Sequence, residues 1–244
     1  MTGCGASSST ATGERMRLER LSREAHAHLR LNQTTDLSYA GNTHLVDLAA
    51  VEFVQAAADF PVVFVDEDGM TPKGLLGLQD GVNSFVGADG RWREPAYVPG
   101  VIRMYPFLLS DDGDGDIGVY VDLDFAGWDT RHGKRLFEDD GSDAPYLHEV
   151  MEFLRGSAVE EGRTRDLVRE LERLELLAPA TMTFRHPERT FTVDGLWTVD
   201  EERLQALPYT ELALLHSKGY LAWIHAHLVS LHQGTKLLYR LMGD

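Results

Sequence analysis

The C-terminal part of the chain contains histidines whose spacings could suit a metal site or an acid/base catalyst. His225 and His227 form a His-x-His pair. The surrounding apolar residues repeat at helical spacing, and residues two apart on a helix point about 200° away from each other. We therefore do not expect this pair to bind one ion, whereas His225 and His232 would share a helix face. Partly buried core histidines are the simpler interpretation, but a metal-dependent or acid/base enzyme that combines these histidines with Asp122 or Asp194 stays open.

A second metal hypothesis starts from His186 and Glu188, which resemble the first two ligands of a facial-triad iron site. The third ligand would be His225 or His227. A turn around Pro187 explains the same residues more simply, and we expect a hairpin loop here.

An acidic, glycine-rich loop at residues 111–118 partly matches two sequence motifs, the EF-hand loop and GxGxxG. Asp112, Asp114 and Asp116 occupy positions 1, 3 and 5 of an EF-hand loop, but Ile117 and Leu123 stand where that loop needs Gly and a bidentate Glu. The same segment has the GxGxxG spacing, yet its carboxylates would repel a phosphate and a strand follows instead of a helix. The sequence thus excludes both motifs and leaves an irregular calcium site on the three aspartates as an alternative.

Asp122 and Asp124 form a further pair of carboxylates. Apolar and polar residues alternate over residues 119–125, which predicts a half-buried strand with both aspartates on one face, about 7 Å apart. Such a pair can divide acid and base roles when its two pKa values differ. A solvated strand face is the simpler prediction, and no nucleophile elbow, P-loop or zinc-protease helix is present to complete a catalytic set.

Composition limits the classes of partner. The net charge is −16, and residues 107–145 contain eleven acidic side chains against three basic ones. A basic stripe with interleaved aromatics is missing, so nucleic acid is not an expected partner. The acidic region suits a solvated loop, with a cation site or a basic partner as alternatives. No apolar run is long enough to span a bilayer, and the single Cys4 excludes an intramolecular disulfide.

The order of the strands and helices that must position these residues predicts an α+β fold. Residues 43–126 read as mostly sheet, with strands at 43–48, 62–65, 74–78, 84–86, 101–108 and 119–125. Residues 146–242 read as mostly helix, with a strand pair at 181–185 and 190–193 and helices at 146–154, 164–177, 200–206, 208–217 and 220–241. Thr198 with Glu201 has the spacing of a capping box. Strands first and helices later favour α+β over alternating βαβ units.

The sequence also predicts the domain organisation and the location of the protein. Residues 1–15 are small and polar and are predicted to be a disordered tail, and residues 16–244 are predicted to form one domain. Since the start of the chain has neither a basic nor an apolar region of a signal peptide, the default expectation is the cytoplasm.

Seven short stretches together resemble the SapC-like family, which is named for a surface-layer-associated protein of bacteria. They are AADFPVVF at 57–64, ADGRW at 88–92, YVP at 97–99, RMYPF at 103–107, LFEDDG at 136–141, DGLWTVDE at 194–201 and LVSLHQ at 228–233. Each is weak alone, but their order covers roughly residues 40–240, so the resemblance spans one family unit.

The resemblance implies a role around bacterial surface structures or uptake systems, because members are described as surface-layer-associated and some lie near genes for flavin-dependent halogenases and outer-membrane receptors. It supplies no catalytic residue and no cofactor. Our leading hypothesis is a non-catalytic binding or accessory protein with a protein or small-molecule partner, acting through a groove between the two halves. The density of family-like stretches places the expected ligand site around Tyr105, Phe107, Asp194, Trp197 and His232.

Overall fold

A computed structural model describes residues 17–32, 35–111 and 117–243. The tail predicted at residues 1–15 therefore lies outside the described residues. The strands of the described part are, in chain order, β1 Leu18–Arg20, β2 Arg30–Leu31, β3 Leu45–Asp47, β4 Val62–Asp66, β5 Met70–Leu75, β6 Phe107–Asp111, β7 Ile117–Asp122, β8 Trp128–Asp129, β9 Lys134–Arg135, β10 Leu177–Arg185 and β11 Thr190–Val199. The α-helices are α1 Arg23–His26, α2 Phe53–Ala56, α3 Gly100–Met104, α4 Pro145–Arg173, α5 Glu201–Gln205, α6 Tyr209–Ser217, α7 Tyr220–Ser230 and α8 Gly234–Met242.

The main sheet has five antiparallel strands in the order β10-β11-β4-β5-β3. Its central strand β4 contains Val62, Val63 and Phe64, which are all buried. A β-branched and aromatic run of this kind suits a strand that is covered on both faces. Helix α7 contacts β4 and β11, so the helices of the C-terminal part lie against this sheet. The α+β prediction is confirmed.

Two three-stranded sheets complete the β structure of the described residues, β1-β7-β6 and β8-β2-β9. They surround a second core, formed by Leu31, Phe107, Val121, Leu136, Phe137, Leu147, Val150 and Leu154. The first half of α4 packs into this second core, and its second half, through Leu167 and Leu171, packs into the main core beside the large sheet. Because α4 is shared by both cores, we propose that residues 16–244 form a single domain.

Helix α4 corrects one prediction. The two helices expected at 146–154 and 164–177 merge into one helix of 29 residues, which ends at Arg173, and Leu177 is the first residue of β10. Ion pairs at i,i+3 spacing run along it, among them Glu152–Arg155, Glu160–Arg163 and Glu170–Arg173. Pairs of this type favour helix by a few tenths of a kcal/mol each, and they carry the helix through a middle section that has no apolar face to bury.

Two predicted strands are also corrected. The first half of the strand expected at 101–108 is the helix α3, which begins after Pro99, and only β6 from Phe107 is a strand. The strand expected at 84–86 is a single bridge between Val86 and Trp92. Both segments carry β-branched residues, but α3 follows Pro99, and in the segment 84–86 Ser84 N–H donates to the Leu76 carbonyl at 2.9 Å.

The C-terminal part confirms the hairpin and corrects a helix start. His186 and Arg189 exchange backbone hydrogen bonds at the β10–β11 turn, as expected for a hairpin loop. Strand β11 continues through Thr198, so the cap of α5 is Asp200, whose carboxylate accepts the Arg203 N–H at 3.0 Å. The helix expected at 220–241 is interrupted by a 3-10 turn at Leu231–Gln233.

Candidate functional site

A polar cleft opens between the loop after β5 and the distal half of the β10–β11 hairpin, and its volume is about 430 Å³. We call it the His44 cleft. Its lining residues are His44, Leu45, Gly77, Leu78, Gln79, Asp80, Thr192, Val193 and Asp194. One wall thus comes from the start of β3 and the loop at 77–80, and the other comes from β11.

The loop wall is built around His44. The His44 carbonyl accepts the N–H groups of Leu76 at 2.7 Å and Gly77 at 3.3 Å, which fixes the loop beside the histidine. A Cβ at Gly77 would lie 1.7 Å from the Val82 carbonyl oxygen, so only glycine fits here. The turn ends at Gly81, which has φ +69°, a conformation that glycine adopts readily. An Asp-Gly pair such as Asp80-Gly81 is typical of a turn, and the structure has a turn here.

The ring of His44 is held at both nitrogens. Nδ1 accepts the Gly81 N–H at 3.3 Å, and Nε2 lies 3.1 Å from Asp80 Oδ1. Since Nδ1 accepts, the proton of the neutral ring lies on Nε2 and is donated to Asp80. The side chain of His44 is about three-quarters buried, whereas that of Asp80 is fully exposed. The pair therefore presents a carboxylate to the cleft and leaves no free imidazole nitrogen.

The hairpin wall is shaped by a β-bulge. Ala180 pairs with Leu196 and Met182 pairs with Val193, so two residues of β11 oppose the single Thr181. Thr181 Oγ1 donates to Asp194 Oδ1 at 2.8 Å. Bulges redirect side chains and often lie next to functional sites. Here the bulge includes Asp194, one of the residues predicted for the ligand site, and places it in the wall of the cleft.

The cleft is suited to binding a polar molecule. Asp80 and Asp194 offer carboxylate acceptors, and Gln79 and Thr192 offer amide and hydroxyl groups. Within the described ranges, no three His, Cys, Asp or Glu side chains are grouped so that they could hold a metal ion. The predicted calcium candidates Asp112, Asp114 and Asp116 lie outside those ranges. Hydroxyl or amino groups of a ligand are the chemical match for the lining.

Tyr105 and Phe107 lie apart from the His44 cleft. Phe107 belongs to the second core and is 3% exposed. Tyr105 stacks on Tyr39, with 4.1 Å between ring centroids, and its hydroxyl donates to Asp122 Oδ2 at 2.5 Å. Burial, and then the bond to Asp122, raise the pKa of Tyr105. Both residues therefore have structural contacts, and their role in ligand binding stays a prediction.

Asp122 overturns the prediction of a solvated strand face. Strand β7 ends at Asp122, which is 2% exposed and accepts the N–H groups of Asp124 at 3.0 Å and Arg17 at 3.2 Å. The chain turns immediately afterwards, and Trp128 Nε1 donates to the Asp122 carbonyl at 2.7 Å. Asp124 is exposed. The two carboxylates thus have different environments because the strand is shorter than its alternating pattern.

Trp197 and His232 occupy two further places. Trp197 pairs with Phe64 across β11 and β4 and packs half-buried against the main core. His232 lies exposed in the 3-10 turn between α7 and α8. Of the five residues predicted for a ligand site, only Asp194 lines the His44 cleft.

The other C-terminal histidines diverge, as their helical spacing predicts. His227 is 0% exposed; its Nδ1 donates to the Val62 carbonyl at 2.8 Å and its Nε2 accepts the Val199 N–H at 3.0 Å. His225 is exposed, with Nδ1 2.6 Å from the Leu221 carbonyl of its own helix. His227 is thus a core residue with both ring nitrogens occupied, which removes it from any catalytic set.

His44 and Asp80 are residues of the cleft that sequence reasoning missed as site residues. The carboxylates that line the cleft with His44 are Asp80 and Asp194, and both are distant from it along the chain, so no short spacing connects the three residues. The available signals were the Asp80-Gly81 turn and the Gly77 before it, which together indicate a tight loop.

Comparison with known proteins adds one match. The SapC family matches residues 21–237, which is most of the chain. No curated protein and no solved structure matches it. Among the described residues, none of the helices combines the length and apolarity that a membrane span requires. The breadth of the family match shows that this chain belongs to the SapC family.

Proposed function

We propose that this chain is a non-catalytic binding protein whose small polar ligand occupies the His44 cleft. The observation that carries the proposal is the cleft itself, which has a volume of about 430 Å³ and polar groups on both walls. Ligand pockets commonly measure roughly 300–1,000 Å³ and orient their ligands with a few polar groups. Because Asp80 and Asp194 accept hydrogen bonds, the ligand that fits best donates them through hydroxyl or amino groups.

The state of His44 supports binding over catalysis. A general base needs a lone pair within hydrogen-bond reach of the proton that it removes. The lone pair on Nδ1 of His44 is directed at the Gly81 N–H, and the proton on Nε2 is directed at Asp80. The ring in this geometry positions Asp80 and offers a ligand no free base.

The accessory role rests on family membership. Family-like segments extend over both halves of the chain, and the resemblance links such proteins to surface-layer or uptake systems. We propose that binding in the His44 cleft serves such a system, with a small molecule or a protruding side chain of a partner protein as the occupant.

The test is ligand-observed NMR with the purified full chain and a defined panel of glucose, N-acetylglucosamine, putrescine and lysine. We expect saturable binding of at least one compound and a loss of affinity of about fivefold or more in Asp194→Asn, which corresponds to roughly 1 kcal/mol. The matched control is Asp124→Asn, since Asp124 is an exposed aspartate away from the cleft.

A parallel comparison separates this cleft from the groove predicted from the sequence. His44→Gln should weaken binding, whereas His232→Gln and Trp197→Phe should not. The opposite order of effects would move the ligand to the predicted groove. Turnover of an identified substrate that is lost in His44→Gln or Asp194→Asn without unfolding would refute the non-catalytic proposal.

A further inference from the structure

Strand β11 has an unpaired edge in the wall of the His44 cleft. In the main sheet β11 lies between β10 and β4, but β4 pairs with it only at Leu196 and Trp197. On the side that faces away from β10, residues 190–194 therefore have no partner strand among the described residues. Residues 192–194 line the cleft, so this edge lies where an occupant of the cleft would contact it.

The register of the hairpin shows which backbone groups point out from this edge. His186 and Arg189 exchange both backbone hydrogen bonds at the turn. Pairs of this kind alternate along an antiparallel ladder with pairs that exchange no bonds, and the register places Thr190 and Thr192 in pairs of the second kind. The N–H and C=O groups of Thr190 and Thr192 thus point away from β10, and within the described part of the chain nothing bonds to them. We call these four groups the β11 edge.

The β11 edge has the arrangement that a further strand requires. A residue opposite Thr192 in an extended segment can accept its N–H and donate to its C=O, and the residue two positions along can do the same at Thr190. Both threonines are exposed, and threonine is a favourable strand residue. Addition of a peptide strand to an open sheet edge is a common mode of recognition, in which the main chain supplies affinity and the side chains supply specificity.

The charge of the cleft determines which side chains suit the added segment. The lining contains the carboxylates of Asp80 and Asp194 and no lysine or arginine. Asp80 Oδ1 lies 3.1 Å from His44 Nε2, and Asp194 Oδ1 accepts from Thr181 at 2.8 Å. The Oδ2 atom of each aspartate has no partner among the described residues. Each is therefore free to accept from a lysine or arginine side chain in a charge-assisted hydrogen bond.

We propose that an extended, basic peptide segment of a partner protein adds as an antiparallel strand to the β11 edge. The inference rests on the proposed function, because it names the occupant of the same cleft. Residues two apart on a strand share a face, so Thr192 and Asp194 lie on one face, and residues opposite each other across a ladder also share a face. A basic residue opposite Thr192 is thereby placed beside Asp194. Arg185 and Arg189 at the far end of the hairpin disfavour a basic residue opposite Thr190.

The experiment is isothermal titration calorimetry of the full chain with capped pentapeptides. The probe is acetyl-Lys-Thr-Lys-Thr-Thr-amide, which places its two lysines near Asp194 and a threonine opposite Thr190. We expect saturable binding that is at least about tenfold tighter than that of free lysine, because main-chain bonds add to the contact between charges. The charge-reversed peptide acetyl-Glu-Thr-Glu-Thr-Thr-amide should not bind.

N-methylation of alternate peptide residues tests the strand pairing itself. Methyl groups on the first, third and fifth nitrogens remove the donors that face β11, and we expect affinity to fall at least about tenfold. Methyl groups on the second and fourth nitrogens face solvent and should leave the affinity unchanged.

A pair of proline variants locates the edge. Thr192→Pro removes an N–H from the β11 edge without removing a bond between β10 and β11, and we expect the affinity for the probe to fall at least about tenfold. Thr183→Pro is the matched control, because Thr183 opposes Thr192 and its N–H points out from the other side of the hairpin. It should bind the probe as wild type does. Thermal unfolding of each variant checks that the fold is kept.

The outcomes separate this inference from the proposed function. Equal affinities for free lysine and the probe, or equal effects of the two methylation patterns, would overturn strand addition and leave the His44 cleft as a small-molecule site. An absence of probe binding to the folded chain would also overturn it, and a failure of the NMR panel as well would remove the proposed function. Dimerisation of the wild type that is lost in Thr192→Pro and kept in Thr183→Pro, measured by sedimentation, would assign the edge to a second copy of this chain instead.

Discussion

The buried imidazole of His227 makes the stability of this fold depend on pH. The ring lies between α7 and the main sheet, where it bonds the Val62 carbonyl and the Val199 N–H and is closed to solvent. Burial lowers the pKa of His227 from 6.5 to about 4, and the bond to Val62 opposes this change only in part. Protonation of Nε2 would also turn an acceptor into a donor facing another donor.

The sign and size of the effect follow from proton linkage. Between pH 6.5 and about 4 the unfolded chain binds a proton at this histidine and the folded chain does not. The free energy of unfolding therefore falls as the pH falls through this window, by about 1.4 kcal/mol per pH unit and about 3 kcal/mol in all. The contribution is fully present above pH 6.5 and stops changing below about pH 4.

Urea unfolding followed by tryptophan fluorescence, at pH values of about 7.5, 6 and 4.5, measures this dependence. His227→Gln keeps one of the two hydrogen bonds but cannot be protonated. We expect it to be less stable at neutral pH by roughly 1–3 kcal/mol and to show a flatter pH dependence. His225→Gln, on the exposed face of the same helix, should keep the wild-type slope. Equal slopes for wild type and His227→Gln would refute the assignment of acid sensitivity to this ring.

Two further substitutions test individual contacts by the same urea assay. Asp200→Ala removes the side-chain cap of α5 and should lower stability by about 1 kcal/mol, whereas Thr198→Ala should cost less; the reverse order would restore the capping box predicted from the sequence. Tyr105→Phe leaves the buried Asp122 without one donor and should cost about 1–3 kcal/mol; wild-type stability would show that solvent replaces the hydroxyl and would free Tyr105 for a ligand.

The parts of the fold that could be predicted from the sequence are those that local chemistry determines. The β-branched run of β4 and the proline-containing loop at His186–Arg189 carry their own backbone preferences, and both were predicted correctly. Gly219 has φ +77° between α6 and α7, a conformation that glycine adopts readily at the end of a helix.

The errors occur where contacts between distant segments override the local pattern. The alternating pattern at 119–125 continues past the end of β7, but Asp122 accepts N–H groups from Arg17 and Asp124 and the chain turns. Apolar periodicity vanishes in the middle of α4, yet the helix continues because surface ion pairs support it. Neither the early end of β7 nor the continuity of α4 can be predicted from a short segment of the sequence alone.

The His44 cleft is a stronger case of the same limit, because its polar residues come from three distant segments. The loop at 77–80 and the β10–β11 bulge bring Asp80 and Asp194 into the walls of one cleft. Motif searches depend on short spacings, so they detect neither the pair nor its histidine. A single prediction, that of Asp194, reached the cleft because Asp194 lies in a family-like stretch.

The segment at residues 97–107, which contains the family-like stretches YVP and RMYPF, shows why such stretches can reflect packing as well as ligand binding. Glu52 Oε1 accepts the Tyr97 hydroxyl and the Gly100 N–H, both at 2.7 Å, and its Oε2 accepts the Ala49 N–H at 3.0 Å. A Cβ at Gly100 would lie only 3.2 Å from Glu52, so the small residue is part of the contact. A few residues on, Tyr105 bonds the buried Asp122. These bonds join the segment to both cores, and residues of this kind are constrained by the fold whether or not a ligand is present.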